Sequence, residues 1–311
     1  WILRNFYLRG EVFMWIVIAL IGALFTSLTT IFAKVGIKNV NSNFATFFRT
    51  GVVIIFAVIM CFITNSFASF NSLTTSNWLF LILSGIATGL SWLCYYRAIK
   101  LGDVSKVAPI DKSSFILTSI LFLIFFFNDT TNNGNPLTIV MLFLSMTLML
   151  AGTLLMIGKV ESKNEKVDKK WLIYAILSAV FASLVSLFVK IGLKNIPSSL
   201  GTCIRTIVVF IFAAIIVLAR KDYKGVKEIT GKSWIFLTLS GIATGVAWIS
   251  EYEALNYVGA NPVAVTSISK LAILLTMMIS ILFLHEKFTL KSFVGLALMT
   301  LGIVLIIIFS L

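Results

Sequence analysis

The sequence predicts an all-α integral membrane protein, with ten transmembrane helices arranged as two inverted five-helix repeats. Three observations carry this. Of the 311 residues, 59% are hydrophobic and only 12% charged, with a mean hydropathy of +1.04, far from soluble usage. The apolar residues fall in runs of about 20, the length with which an α-helix crosses roughly 30 Å of hydrocarbon, whereas a membrane barrel shows alternating segments of about ten. Finally, the two halves of the chain repeat one another at an offset that pairs Trp15 with Trp171.

In chain order, residues 1–13 are read as a non-native or leader-like extension. They are too polar and wrongly flanked for a cleaved signal peptide, and the repeat begins only at Trp15, so the native start is expected at Met14. Spans are then expected at 14–34, 44–63, 78–99, 104–127 and 136–157, which make up the first repeat, 14–158. The segment 159–170, KVESKNEKVDKK, is the long solvated linker. The second repeat, 171–311, carries spans at 171–190, 200–219, 234–254, 262–284 and 289–310.

The repeat is more than shared apolarity. Lys34-Val35-Gly36-Ile37-Lys38-Asn39 recurs as Lys190-Ile191-Gly192-Leu193-Lys194-Asn195, Arg49-Thr50 as Arg205-Thr206, and Trp78 as Trp234. Ser84 to Ala98 recurs as Ser240 to Ala254 with the Trp, Gly and Thr positions kept. Because five is odd, two halves that fold alike must lie antiparallel in the bilayer. Loop charge agrees. Asn65 to Asn77 and Asn128 to Pro136 hold no Lys or Arg, while their counterparts hold Arg220, Lys221, Lys224, Lys227 and Lys232, and Lys287 and Lys291. The pattern reverses for Lys100 and Lys106 against the uncharged 8–9 loop. By the positive-inside rule, loops 3–4, 5–6, 7–8 and 9–10 face the cytoplasm. This puts both termini outside a bacterial or archaeal cytoplasmic membrane.

Several classes fall away. A formal net charge of +13 suits nucleic acid in a soluble protein, but here the basic residues sit in short loops, where topology accounts for them. Cys61, Cys94 and Cys203 lie in or against apolar runs without CxxC spacing, and read as small core residues with no disulfide or zinc role. The single histidine, His285, excludes multi-histidine metal sites, and no cofactor motif is present.

Candidate functional residues cluster on the third, fourth, eighth and ninth spans. Gly85 with Gly89, and Gly241 with Gly245, form GxxxG, a smooth face for helix packing or for the sliding contact of a gate. On the same face follow Trp92 and Tyr96, and Trp248 and Tyr252, as i,i+4 pairs. These are either an interfacial belt or the walls of a cavity. Intramembrane charges are costly and mark function by default. Asp111 and Lys112 lie in the fourth span and Lys270 in the ninth. Lys112 and Lys270 are repeat counterparts that suit an anionic or zwitterionic group, unless Asp111, Glu251 or Glu253 neutralises them internally. Glu251, whose repeat mate is Tyr95, and Asp111 are candidate coupling residues, with the proton as the candidate ion. Glu253 is expected nearer the exposed helix end. Arg49 and Arg205 lie about 8 Å into their helices at 1.5 Å per residue, within snorkelling reach of the headgroups, and are expected to anchor there.

With these spans and repeats, and the motifs Lys34-Val35-Gly36-Ile37-Lys38, Arg49-Thr50, Trp92-Leu93-Cys94-Tyr95-Tyr96-Arg97-Ala98, Val107-Ala108-Pro109 and Leu284-His285-Glu286, the chain resembles the EamA family of the drug/metabolite transporter superfamily from Met14 to Leu311. The resemblance implies a central cavity lined by helices 1, 3, 4, 6, 8 and 9, hence by Trp92, Tyr96, Lys112, Trp248, Tyr252 and Lys270. It also likens Lys270, after Ser267-Ile268-Ser269, to the substrate-contacting lysine of nucleotide-sugar and phosphate members. Two departures stand out. Phe127-Asn128-Asp129 lacks the Leu-x-Glu ending kept at Leu284-His285-Glu286. The first span also lacks the glutamate of small multidrug members, which argues against proton-driven export of lipophilic cations. The expected function is a secondary carrier of small polar, amino-acid-like metabolites that works by alternating access in the lipid bilayer, in the direction of export. A flippase for a lipid-linked headgroup is the alternative. Without a nucleotide-binding motif, ATP-driven transport is excluded, and without paired histidines or a Ser/His set the chain is not expected to be an enzyme.

Overall fold

In a computed structural model of the chain, the described residues are 2–37, 40–101, 110, 113–156, 170–224, 226, 229–272, 274–275 and 290–310. At 2–13 and at Lys34, Ser42, Tyr96, Ile99, Lys100, Leu101, Met156, Ser292 and Ser310 the description covers the backbone alone. The main elements are helices: α1 (Ile2–Gly36), α2 (Ser42–Ile63), α3 (Thr75–Leu101), α4 (Ser114–Phe125), α5 (Pro136–Met156), α6 (Lys170–Gly192), α7 (Ser198–Arg220), α8 (Gly231–Asn256), α9 (Pro262–Ser269) and α10 (Leu290–Ser310). A 3-10 turn, Ser66–Ser72, follows α2, and a short helical turn, Phe127–Thr131, follows α4. Among the described residues seven helices, α1, α2, α3 and α5 to α8, are long and apolar enough to cross a bilayer. α4 and α10 contribute shorter apolar stretches. Parts of the expected fourth and ninth spans, 104–109, 111–112, 273 and 276–284, lie outside the described residues, with the 159–169 linker.

Local chemistry sets the helix starts. Asn41 caps α2 by accepting from Asn43 N and Phe44 N, and Thr230 caps α8 through Ser233 N. Asn261 caps α9 by accepting from Val263 N and Ala264 N, with Pro262 behind it at the first helical position. Thr74 and Asn77 hold the start of α3 reciprocally, Thr74 N to Asn77 Oδ1 at 2.8 Å and Asn77 N to Thr74 Oγ1 at 3.3 Å. Several of the long helices also carry an outward apolar stripe. On α7 it is Ile207, Ile211, Ile215 and Leu218, and on α2 it is Ile55, Ile59, Phe62 and Ile63, all exposed. Such stripes need lipid against them.

By contact the chain divides into two compact units that cut across the sequence repeats: Trp1–Ile86, Phe188–Val258 and Ser269–His285 in one, and Ala87–Leu187, Gly259–Ile268 and Glu286–Leu311 in the other. Helices of the two repeats pack on each other, so each unit draws on both halves.

In the first unit α1 runs antiparallel to α8. Gly36 meets Leu237, Thr29 meets Thr244 at 3.3 Å, and Gly22 meets the backbone of Ala247 and Glu251. The repeat mates α2 and α7 also lie antiparallel, with Phe47 stacked on Phe210 at 4.7 Å. Contacts recur under the repeat: Gly36 against Leu237 matches Gly192 against Leu81. The homologous helices α2 and α7 thus run in opposite directions, the relation that the loop charges predict for the two repeats.

In the second unit α5 pairs with α10, again antiparallel. Gly152 abuts Gly295 and Met299, while Gly302 abuts Ser145 and Met149. Thr138 Oγ1 donates to Phe309 O at 3.1 Å. This pair obeys a repeat offset different from the rest of the chain, since a deletion separates it from the earlier helices. α3 and α6 cross through reciprocal serine bonds, Ser91 Oγ to Ser178 O and Ser178 Oγ to Ser91 O, both 3.1 Å.

Candidate functional site

The lipid stripe of α7 fixes the direction of Arg205. At 100° per residue, Arg205 stands about 200° from Ile207 and therefore points away from lipid. It is 1% exposed. Its Nε donates to Ser84 Oγ at 3.3 Å, and its guanidinium carbon lies 4.7 Å from the Trp248 ring centroid and 5.3 Å from that of Tyr252. A delocalised, weakly hydrated guanidinium over two aromatic faces is a favourable cation–π arrangement in a dry interior. The mate, Arg49, donates from Nη2 to Thr244 Oγ1 at 3.0 Å. The expectation that both arginines anchor at headgroups is thus corrected, since both cross to the helix that bears the other repeat's GxxxG. Depth from the helix end left two directions open, and rotation about the helix axis decided between them.

The GxxxG glycines explain how the arginines reach so far. A Cβ on Gly85 would stand 2.6 Å from Val208 Cβ and 3.0 Å from Arg205 O, and one on Gly241 would stand 2.6 Å from Val52 Cβ and 3.1 Å from Arg49 O. Each glycine seats the arginine-bearing turn of the opposite repeat, so these faces are filled by close packing. Gly245 faces Phe56, and Gly89 is buried. The GxxxG, Arg-Thr and Trp/Tyr motifs, separate in the sequence, form one constellation.

Beside it lies a mixed-charge cluster. Glu251, on the turn shared with Tyr252, has the Ser269 hydroxyl within hydrogen-bonding reach and interacts electrostatically with Lys270 and Arg205. Glu251 and Lys270 are partly accessible, whereas Tyr252 is buried. The Arg205 guanidinium thus lies against the two rings, on the helix whose Glu251 carboxylate interacts electrostatically with it and with Lys270. Glu253 is exposed, as its position near the helix end suggested. Tyr95, the mate of Glu251, packs instead with Trp171, Tyr174 and Ile110 around Ala98 and Ala175. The C-terminal turn of α8 is held from below by Lys190 Nζ on Leu255 O and by Asn256 Nδ2 on Ile196 O at 3.1 Å.

Of the other expected site residues, Trp92 is partly buried on α3. The Tyr96 side chain, Asp111 and Lys112 lie outside the described residues. Among the described residues no group of three or more His, Cys, Asp or Glu could hold a metal. Sequence reading missed Ser84 and Arg205 as parts of the cluster. The alternation of Thr202, Arg205, Thr206 and Val209 with the Ile207, Ile211, Ile215 stripe was the available signal.

Long apolar helices in two sequence repeats, with charged and aromatic side chains brought together inside them, fit a multi-pass membrane transporter. The sequence profile of the EamA-like transporter family matches residues 13–151 and again 169–308, and the chain belongs to that family, which lies within the drug/metabolite transporter superfamily. A protein from Sinorhizobium sp., described as an uncharacterized transporter in the cobO 3' region, is 41% identical over 138 residues, which are 44% of this chain and 92% of that protein. A solved structure, described only as the crystal structure of a protein, superposes with a TM-score of 0.70 at 14% identity, covering 94% of this chain and 96% of its own. That likeness concerns the fold.

Proposed function

We propose that the protein is a secondary carrier that exports small polar metabolites, anionic or zwitterionic and amino-acid-like, across a bacterial or archaeal cytoplasmic membrane. The two inverted five-helix halves, ten helices in all, alternate the access of a shared site. The observation that carries this reading is Arg205 seated against Trp248 and Tyr252 within apolar helices, with Glu251 beside Tyr252 interacting electrostatically with Arg205 and Lys270. Unpaired, each charge would be expensive in such surroundings. Paired with one another, they can exchange a partner for a solute that brings its own charge. Trp248 and Tyr252 then offer apolar surface to the rest of the solute. By the repeat, Lys112, Trp92 and Tyr96 are proposed to serve the same task from the first half. Glu251 and Asp111 are the groups on which a coupling proton would ride.

The test is a metabolite panel read by thermal shift on the purified protein, repeated on Lys112→Ala and Lys270→Ala. Stabilisation by an amino-acid-like or other carboxylate- or phosphate-bearing solute, lost in at least one variant, is expected. If both variants keep every ligand response, the lysine-centred site is wrong. Stabilisation only by lipids would point to a headgroup flippase.

A further inference from the structure

The two ends of the α2–α7 pair carry repeat-related contacts of different chemistry. At one end Asp222, just past α7, accepts from Asn41 Nδ2 at 2.9 Å and from Asn43 Nδ2 at 2.7 Å. At the other end Ser66, the repeat mate of Asp222, bonds Ser199, the mate of Asn43, at 2.6 Å, and Thr64 joins both hydroxyls at 2.6 and 3.2 Å. Equivalent turns present them. Asn65 and Lys221, again mates, both adopt the left-handed conformation, at φ 52° and 58°, and so end their helices alike. The charged tie is partly exposed, whereas Ser66 and Ser199 are buried.

Between these ties the helices are joined along their length by the Phe47–Phe210 stack and by Gly51 against Phe210. Cys61 on α2 and Cys203 on α7 are both buried, and each stands about one turn from the Ser66–Ser199 bond on its own helix, so the antiparallel register brings the two thiols to the same level. Both are free cysteines.

Under alternating access, which this step assumes from the reading above, repeat-related contacts on opposite faces belong to gates only if they form in turn. The Asn41/Asn43–Asp222 and Ser66–Ser199 contacts are made in the same conformation. We infer that α2 and α7 travel through the transport cycle as one body, tied at both ends, and that the Cys61–Cys203 pair is a site where mild oxidation makes this tie covalent without stopping transport. In that step each thiol gives up a proton, an S–S bond forms between the sulfurs, and the two electrons pass to two Cu(II) ions, which dioxygen reoxidises. A copper–phenanthroline chelate partitions into lipid and can reach buried thiols.

Cys94→Ser leaves Cys61 and Cys203 as the remaining two of the three cysteines. In liposomes loaded with a solute found by the thermal-shift panel, copper–phenanthroline is expected to remove both thiols from a maleimide–polyethylene glycol mass tag applied after denaturation. Dithiothreitol should return them, and Cys61→Ser or Cys203→Ser should keep its remaining thiol taggable. Efflux by the oxidised protein should stay within about twofold of the reduced rate. Persistence of both tags after oxidation overturns the thiol pairing. A fall in efflux of tenfold or more, reversed by dithiothreitol, overturns the single body by showing that α2 and α7 slide. A reduced protein that moves no solute counts against the carrier reading instead, and leaves the tag to decide the tie.

Discussion

Replacing Gly241 by alanine adds a single methyl group at a crowded point of the α2–α8 contact. That methyl would stand 2.6 Å from Val52 Cβ and 3.1 Å from Arg49 O. Non-bonded carbons settle near 3.5–4.0 Å, and neither opposing atom is the tip of a flexible side chain, so α8 must retreat by about 1 Å. One turn further along the same face, Arg49 Nη2 now lies 3.0 Å from Thr244 Oγ1, and the same retreat takes it out of hydrogen-bonding range. Overpacking costs about 1–3 kcal/mol, and a hydrogen bond from a charged donor contributes about 1.5–3 kcal/mol. A combined loss of about 3 kcal/mol corresponds to roughly 6–12 °C in apparent melting temperature for a large domain. The assay is fluorescence-detected size-exclusion melting in detergent. Gly85→Ala should behave alike, because its contacts with Val208 and Arg205 mirror those of Gly241. Gly231→Ala, where nothing lies within 4 Å, should melt with the wild type. A Gly241→Ala protein that melts within about 2 °C of the wild type would refute the close approach.

Arg205→Lys keeps the charge but gives up the planar stacking on Trp248 and Tyr252. Loss of about 1.4 kcal/mol from the two cation–π contacts raises the solute concentration for half-maximal stabilisation about tenfold, and an unchanged midpoint would show that the guanidinium does not order the wall. Topology is checked by single cysteines at Asn71 and Lys227 in a cysteine-free background. A membrane-impermeant maleimide should label them from opposite sides, and labelling from the same side would end the inverted-repeat reading.

Much of this architecture was legible because inversion leaves a double trace in the sequence. Trp, Gly and Lys recur at fixed offset, and loop charge alternates between the copies. Helix limits followed apolar length, so Ser198–Arg220 and Pro136–Met156 fall within two residues of the expected spans. Arg205 was harder to read, because distance from a helix end does not report rotation about its axis, which the Ile207–Ile211–Ile215 stripe does. The shared level of Cys61 and Cys203, like the meeting of Asn43 with Asp222, depends on two helices far apart in the chain lying antiparallel at one register. No local pattern encodes that register. Which of Asp111, Glu251 and Glu253 neutralises a lysine could not be read locally, since which acid faces a lysine is set by helix crossing.

The α5–α10 crossing has a further implication. Gly152 and Gly302 occupy equivalent places on two helices of like sequence, and each receives the backbone of the other. Such an interface is isologous, the same patch on both sides, which is the geometry of a twofold homodimer. A chain that carried one copy of this patch would present a groove that only a second, oppositely inserted molecule of itself could fill.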